Sequence, residues 1–151
     1  MLLSRWKRKE PKDINIYLSN KQIPQVNKVK YLGIIFDCKL TFRDHIHYIT
    51  EKCTKLIFTL SKSAKLSWGL KHEVLRTIYK GGILPLILYG APVWSRILNK
   101  ECYKKKIKRV QRLINIKIAK AYRTVSNEAL CVITGQYTIR KENNGQLLNH
   151  D

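Results

Sequence analysis

Acidic residues are scarce in this sequence. Ten Asp and Glu face thirty Lys and Arg, a formal net charge of +20 over 151 residues. Asp37, Asp44, Glu51, Glu73, Glu101 and Glu128 are scattered along the chain, and no two acids are adjacent. A two-metal phosphoryl-transfer site needs carboxylates converging on ions ~4 Å apart, and no Asp-Asp pair on a turn is available. Other catalytic constellations are missing too. His45 and His47 are two residues apart, so on a helix they diverge by about 200° instead of forming an i, i+4 metal pair; cap or surface roles are expected for them. Ser61, Ser63, Ser67 and Ser95 lack a nucleophile-elbow context. Gly81-Gly82 is not followed by the Gly-Lys-Ser/Thr of a phosphate loop. Catalysis within this chain is not expected.

The four cysteines, Cys38, Cys53, Cys102 and Cys131, show no Cys-x-x-Cys or other zinc spacing. Each sits in an apolar pattern and reads as a small buried hydrophobe, in keeping with a reducing compartment. Long hydrophobic runs are absent. The longest, "GGILPLILYGAPVW" (81–94), is too short to span a bilayer and contains Pro85, Gly90 and Pro92. The opening "MLLSRWKRKE" has no signal-like apolar stretch. The expectation is an intracellular, non-secreted protein with no membrane partner.

What the sequence does have is positive charge and apolar periodicity. A net charge of +20 speaks for a polyanionic partner, nucleic acid before an anionic membrane surface. Residues 1–12 read as a flexible basic lead-in. Residues 13–40 read as a small antiparallel β unit: "DINIYL" alternates with Ile14, Ile16 and Leu18 on one face, "SNK" is a turn, "QIPQV" is a short arm, and "VKYLGIIFD" (29–37) is a third strand with Gly33 allowing a bulge or close approach.

Residues 41–136 turn helical. Ile46, Ile49, Cys53, Leu56, Leu60 and Ala64 recur at helical spacing, with Thr41 or Asp44 as cap and a break at Gly69. A second helix starts near Lys71 with Leu75, Ile78 and Tyr79 inward. The run "ILPLILYGAPVW" is apolar nearly all round and is expected to be the most buried element, kinked at Pro85. A third helix, capped by Asn99, carries Tyr103, Ile107, Val110, Ile114, Ile118 and Ala121 on one face. Lys105, Lys108, Arg109, Arg112 and Lys120 fall opposite. "SNEALCVITG" (126–135) reads as a short helix capped by Ser126 and ended by Gly135. Residues 137–151 form a polar tail expected to be loose. The fold class is therefore α+β, mostly α: a small N-terminal antiparallel β unit (about 14–37), then a thumb-like bundle of three to four helices.

Residues 100–123 hold ten basic side chains against one acid, Glu101. Like charges at i, i+4 destabilise an isolated helix by about 0.2–0.5 kcal/mol each; a bound polyanion relieves that repulsion. Among the aromatic residues, most of which lie on core faces, Tyr31 is the one expected beside nucleic acid, with packing in the core as the other reading.

"VKYLGIIFDCKLTFRDHI" resembles the primer-grip segment of reverse transcriptases of non-LTR (LINE-like, jockey-type) retrotransposons. "LPLILYGAPVW" and "KRVQRLINIKIAKAYRTVSNEALCVITG" are similar to the region after the polymerase core in those elements. The resemblance runs from about residue 13 to about 136. It rests on Tyr31-Leu32-Gly33, Leu88-Tyr89-Gly90 with Trp94, Gln111-Arg112, and Ala121-Tyr122-Arg123-Thr124 followed by Ser126, in that order. It implies that Tyr31, Leu32 and Gly33 belong to the grip on the primer end. The basic helix, with Lys105, Lys108, Arg109, Arg112, Lys120 and Arg123, would meet the backbone of RNA, an RNA–DNA hybrid or a DNA duplex. Asp37 would be a structural strand-end residue. The polymerase's Tyr/Phe-x-Asp-Asp turn, its fingers and palm, and any nuclease or Cys/His knuckle do not occur in the sequence, and Thr138 stands where the family has a proline. The expectation is thus a piece of a larger polyprotein or a degenerate copy, nuclear by family resemblance. It would have no cofactor of its own, any Mg²⁺ belonging to the palm, and would be marginally stable without its covering domains. The other reading kept open is a free-standing basic helical module that binds nucleic acid without catalysis.

Overall fold

The structure of the protein is a computed structural model that describes residues 15–66, 71–136, 139–141 and 147–148. The expectations for Ile14, Gly69 and Thr138 lie outside the described residues. Two compact units are present, Met1–Ile46 and His47–Asp151.

The first unit contains two separate hairpins. β1 (Ile16–Leu18) pairs with β2 (Lys21–Ile23), Leu18 opposite Lys21. β3 (Lys28–Tyr31) pairs with β4 (Ile34–Asp37), Tyr31 opposite Ile34. The single strand expected over residues 29–37 is therefore a hairpin. Leu32 (φ 44) and Gly33 (φ 79) both lie in the left-handed region, as a two-residue type I′ turn requires. Alternation of period two runs unbroken through so tight a turn, so the pattern alone hid it. Ser19 (φ 49) and Asn20 (φ 61) make the equivalent turn between β1 and β2.

Asp37 ends β4 and organises the approach to the first helix, α1 (Arg43–Leu66). Its Oδ2 accepts from the Thr41 N–H at 3.0 Å and the Thr41 hydroxyl at 2.9 Å, and its Oδ1 accepts from the Phe42 N–H at 2.8 Å. The residue before α1 is Phe42, whose carbonyl accepts from the Ile46 N–H at 3.1 Å, so Thr41 and Asp44 stand on either side of the cap position; Asp37 holds the Thr41-Phe42 backbone that leads into the helix. Asp44 lies in the first turn, where a negative charge favours the helix dipole, and pairs with Lys28 Nζ at 2.7 Å. Phe36 and Phe42 meet edge to face at 5.7 Å between centroids. His45 is buried, and its Nδ1 accepts from the Ile35 N–H of β4 at 3.3 Å. It is neither a cap nor a surface residue as expected, because the helix lays it against the backbone of the strand.

In the second unit α1 buries Ile49, Cys53 and Ile57. Leu56, expected inward, is exposed; the stripe advances by four from Cys53 to Ile57, one position later. α2 (His72–Ile78) runs through a wider π turn (Tyr79–Ile83) into α3 (Leu84–Leu88). Pro85 is thus accommodated just beyond the π turn: proline's ring crowds the carbonyl four residues earlier, and the wider turn relaxes that crowding. At Gly90 (φ 63) the chain bends by 45° into α4 (Ala91–Trp94) and a 3-10 turn (Ser95–Asn99). Trp94 Nε1 donates to the Tyr89 carbonyl at 2.9 Å and fastens the bend.

The run 83–98 buries one stripe, Ile83, Ile87, Ala91, Trp94 and Leu98, while Tyr89 and Val93 stay exposed. It is amphipathic in place, not buried all round. Among the described residues no single helix is long and apolar enough to cross a membrane; the bent pair His72–Leu88 and Ala91–Asn99 reaches that length and composition only together.

α5 (Glu101–Ala119) follows Lys100, which makes no side-chain cap bond, so Asn99 is not the cap. It buries Ile107, Val110, Gln111, Ile114, Asn115 and Ile118. Cys102 lies off that stripe and is exposed, unlike buried Cys53. α6 (Asn127–Thr134) starts as expected: Ser126 Oγ accepts from the Ala129 N–H at 3.2 Å. It ends at Gly135 (φ 61), where a Cβ would come within 2.6 Å of Arg76 Nη2. In the tail, β5 (Arg140–Lys141) pairs with β6 (Leu147–Leu148).

Candidate nucleic-acid interface

α5 divides its basic residues between two strips. Lys106, Arg109, Leu113, Ile116 and Lys117 recur at helical spacing and face a groove of about 670 Å³, whose opposite wall is α1 from His47 to Phe58. Val110, Leu113, Ile116 and Phe58 give the floor its apolar character. Lys55, Lys106, Arg109, Arg112, Lys117 and Arg123 supply positive charge around it, against one acid, Glu51. The Lys106 ammonium lies against the His47 ring, 2.5 Å from Nε2.

The second strip faces α6. Lys108, Gln111, Arg112 and Asn115 line a smaller polar recess of about 100 Å³ with Asn127, Glu128 and Cys131. Arg112 is tied down here. Its Nη2 donates to the carbonyl oxygens of Arg123 and Val125, both at 2.7 Å, and its Nη1 donates to Asn127 Oδ1 at 2.6 Å. Gln111 is tied as well: its Nε2 donates to the Tyr79 hydroxyl at 3.4 Å and its Oε1 accepts from the Ile139 N–H at 3.0 Å. Burial pushes the Tyr79 phenol up to about 12, so it stays a neutral partner. The Gln111-Arg112 pair therefore locks α5 to its neighbours.

Of the residues singled out in the sequence, Arg109, Arg112 and Arg123 come together on the groove, and Lys108 sits with Arg112 on the recess. Lys105 and Lys120 are exposed, and Lys120 (φ 50) ends α5 in the left-handed region. Tyr31, Leu32 and Gly33 form the exposed tip of the β3–β4 hairpin, with Tyr31 63% and Leu32 70% accessible. They belong to the first unit, and the basic residues of α5 to the second. Lys106, Lys117, Lys55 and Phe58 join the groove without having been singled out. Lys106 and Lys117 share the strip of Arg109 and were legible in the helical period. Lys55 and Phe58 come from another helix, and only the packing brings them in. Among the described residues no group of three or more His, Cys, Asp and Glu side chains converges to hold a metal ion.

The amino-acid sequence of the chain is similar to that of retrotransposon proteins. The chain is 36% identical over 135 residues, 85% of its own length, to a Pol polyprotein from type-1 retrotransposable element R1 of Nasonia vitripennis. It is 31% identical over 89% of its length to a putative 115 kDa protein of the R1DM element of Drosophila melanogaster. It is 34% identical over 66% of its length to a probable RNA-directed DNA polymerase of the Drosophila X-element. No family model and no solved structure matches it. The chain belongs to the reverse-transcriptase polyproteins of non-LTR retrotransposons. It spans 32%, 13% and 10% of the length of those three relatives.

Proposed function

We propose that this chain binds and positions template–primer nucleic acid within a non-LTR retrotransposon RNA-directed DNA polymerase. The observation that carries the reading is the groove between α1 and α5, rimmed by Lys55, Lys106, Arg109, Lys117 and Arg123 besides the tied-down Arg112, against one acid. Arg and Lys on such a rim neutralise phosphates without reading sequence, which suits a polymerase that must slide along its product. Tyr31, Leu32 and Gly33, at the exposed hairpin tip, would hold the primer end. Arg109, Arg123, Lys105, Lys108 and Lys120 would meet the backbone of RNA, an RNA–DNA hybrid or a DNA duplex.

Nucleotidyl transfer, with the Mg²⁺ it uses, would belong to fingers and palm of the same polyprotein, and this chain alone would not polymerise. By the resemblance to those elements, its site of action would be nuclear. The exposed apolar residues of the hairpins, Ile16, Tyr17, Leu18 and Ile23, are in keeping with partner domains covering them. The test is binding of the full chain to a short RNA–DNA hybrid across a salt series. Affinity falling steeply and linearly in log salt supports the reading; binding that is absent, or indifferent to salt, overturns it.

A further inference from the structure

The turn joining α5 to α6 is held more firmly than a connection requires. Ala121 N–H donates to the Ile116 carbonyl at 3.1 Å, and Val125 N–H donates to the Tyr122 carbonyl at 3.2 Å. From α5, the Arg112 fork takes the Arg123 and Val125 carbonyls and the Asn127 side chain. Ser126 then caps α6. Each of these bonds fixes the backbone around Tyr122. Yet Tyr122 is 84% exposed, the highest value among the large hydrophobic residues described. Contact with the rest of the fold does not explain why an aromatic ring is displayed on so well-ordered a turn. Exposed Lys120 and Arg123 flank it, and Arg123 also lines the cationic groove.

We propose that Tyr122 is a stacking platform for an unpaired nucleobase, and that Arg112 is the residue that positions it. The inference rests on the nucleic-acid role proposed above. A phenol ring offers a flat apolar face of fixed shape, and every base has a π face to lay on it, so the contact is tolerant of sequence. Lys120 and Arg123 supply charge for the phosphates on either side. Bases inside a duplex are already stacked on both faces, so the ring takes a base from a single-stranded overhang or a frayed end. The Arg112 guanidinium is committed to carbonyls of the turn and acts through the backbone, not on the ligand.

The experiment compares the full chain with Tyr122→Ala, Tyr122→Phe and Arg112→Lys. Binding is measured to a blunt RNA–DNA hybrid and to the same hybrid with a single-stranded RNA overhang containing 2-aminopurine. The wild-type chain prefers the overhang and quenches the 2-aminopurine. Tyr122→Ala loses about tenfold on the overhang only, loses the quenching, and keeps its salt slope because no charge has changed. Tyr122→Phe keeps both. Arg112→Lys keeps the charge but not the three-way fork and weakens the overhang preference. If Tyr122→Ala binds and quenches the overhang as the wild type does, the inference is overturned while the groove reading stands. If the wild type binds neither probe, the nucleic-acid reading itself fails, and the inference with it.

Discussion

Arg112 reaches from the middle of α5 across the following turn and donates to the main-chain carbonyl of Arg123 at 2.7 Å. With the bonds to Val125 and Asn127, this makes one side chain the fastening between α5 and α6. Bonds from a charged donor contribute about 1.5–3 kcal/mol each when well sheltered, and this site is partly exposed. Arg112→Ala should therefore lower the unfolding free energy by about 2–3 kcal/mol in urea denaturation. Arg112→Lys should recover only a fraction, since an ammonium cannot serve three acceptors in one plane. A loss within error of zero would mean that the turn is held by other contacts.

Asp37 gives a second test. Burial works to raise its carboxyl, but the hydrogen bonds from Thr41 and Phe42 outweigh it and hold its pKa below the ordinary 3.8. A carboxylate depressed in the folded state stabilises fully above its unfolded value, and that contribution disappears as pH falls through the lower folded value. Asp37→Ala should cost about 1.5–3 kcal/mol at neutral pH, as for loss of hydrogen bonds to a charged acceptor. It should also make the remaining stability less sensitive to acid. An unchanged acid limb would sink the assignment.

His45 titrates in the opposite setting. Burial lowers its pKa from 6.5, so the folded state favours the neutral ring. Its contribution is complete above the unfolded value and declines as pH drops below it toward the folded pKa. The His45 imidazole signals should therefore titrate with a midpoint below 6.5, and the amide of Ile35, which donates to Nδ1, should move with them. A midpoint at or above the ordinary value would contradict the buried placement.

At the hairpin tip, Leu32 occupies the left-handed region at φ 44, a conformation that costs a side-chain-bearing residue about 1–2 kcal/mol. Asn tolerates it better. Leu32→Asn should strengthen the β3–β4 hairpin by about 0.5–1 kcal/mol, and Gly33→Val, placed at φ 79, should weaken it by at least as much. Amide exchange of Lys28–Asp37 reads both; the same sign for the two substitutions would count against the turn.

Local signals carried well from sequence to structure. Ser126 and Gly135 frame α6 as their chemistry dictates, because a cap and a left-handed end depend on a few neighbouring atoms. The stripe Ile107, Val110, Ile114 and Ile118 was legible for the same reason. Misreadings arose where tertiary contacts decide. Gln111 and Asn115 are buried on an otherwise apolar face, and Gln111 is held there by Tyr79 and Ile139, distant in sequence. Ile57 displaced Leu56 because it falls fully buried in line with Ile49 and Cys53, while Leu56 lies at the exposed edge of that stripe. The groove was half legible: the charge of α5 was evident, whereas the wall of α1 with Lys55 and Phe58 was not.

The most direct measurement is the salt dependence of RNA–DNA hybrid binding by the full chain and by a Lys106→Ala, Arg109→Ala, Lys117→Ala triple variant. These three side chains line the groove, and none of them makes the turn contacts of Arg112. If the groove holds the backbone, log affinity falls steeply with log salt. The triple variant then flattens the slope by roughly two to three units, at about 0.9 per lost phosphate contact. An unchanged slope in a folded variant would mean that the charge of α5 is merely solvated and that nucleic acid binds elsewhere.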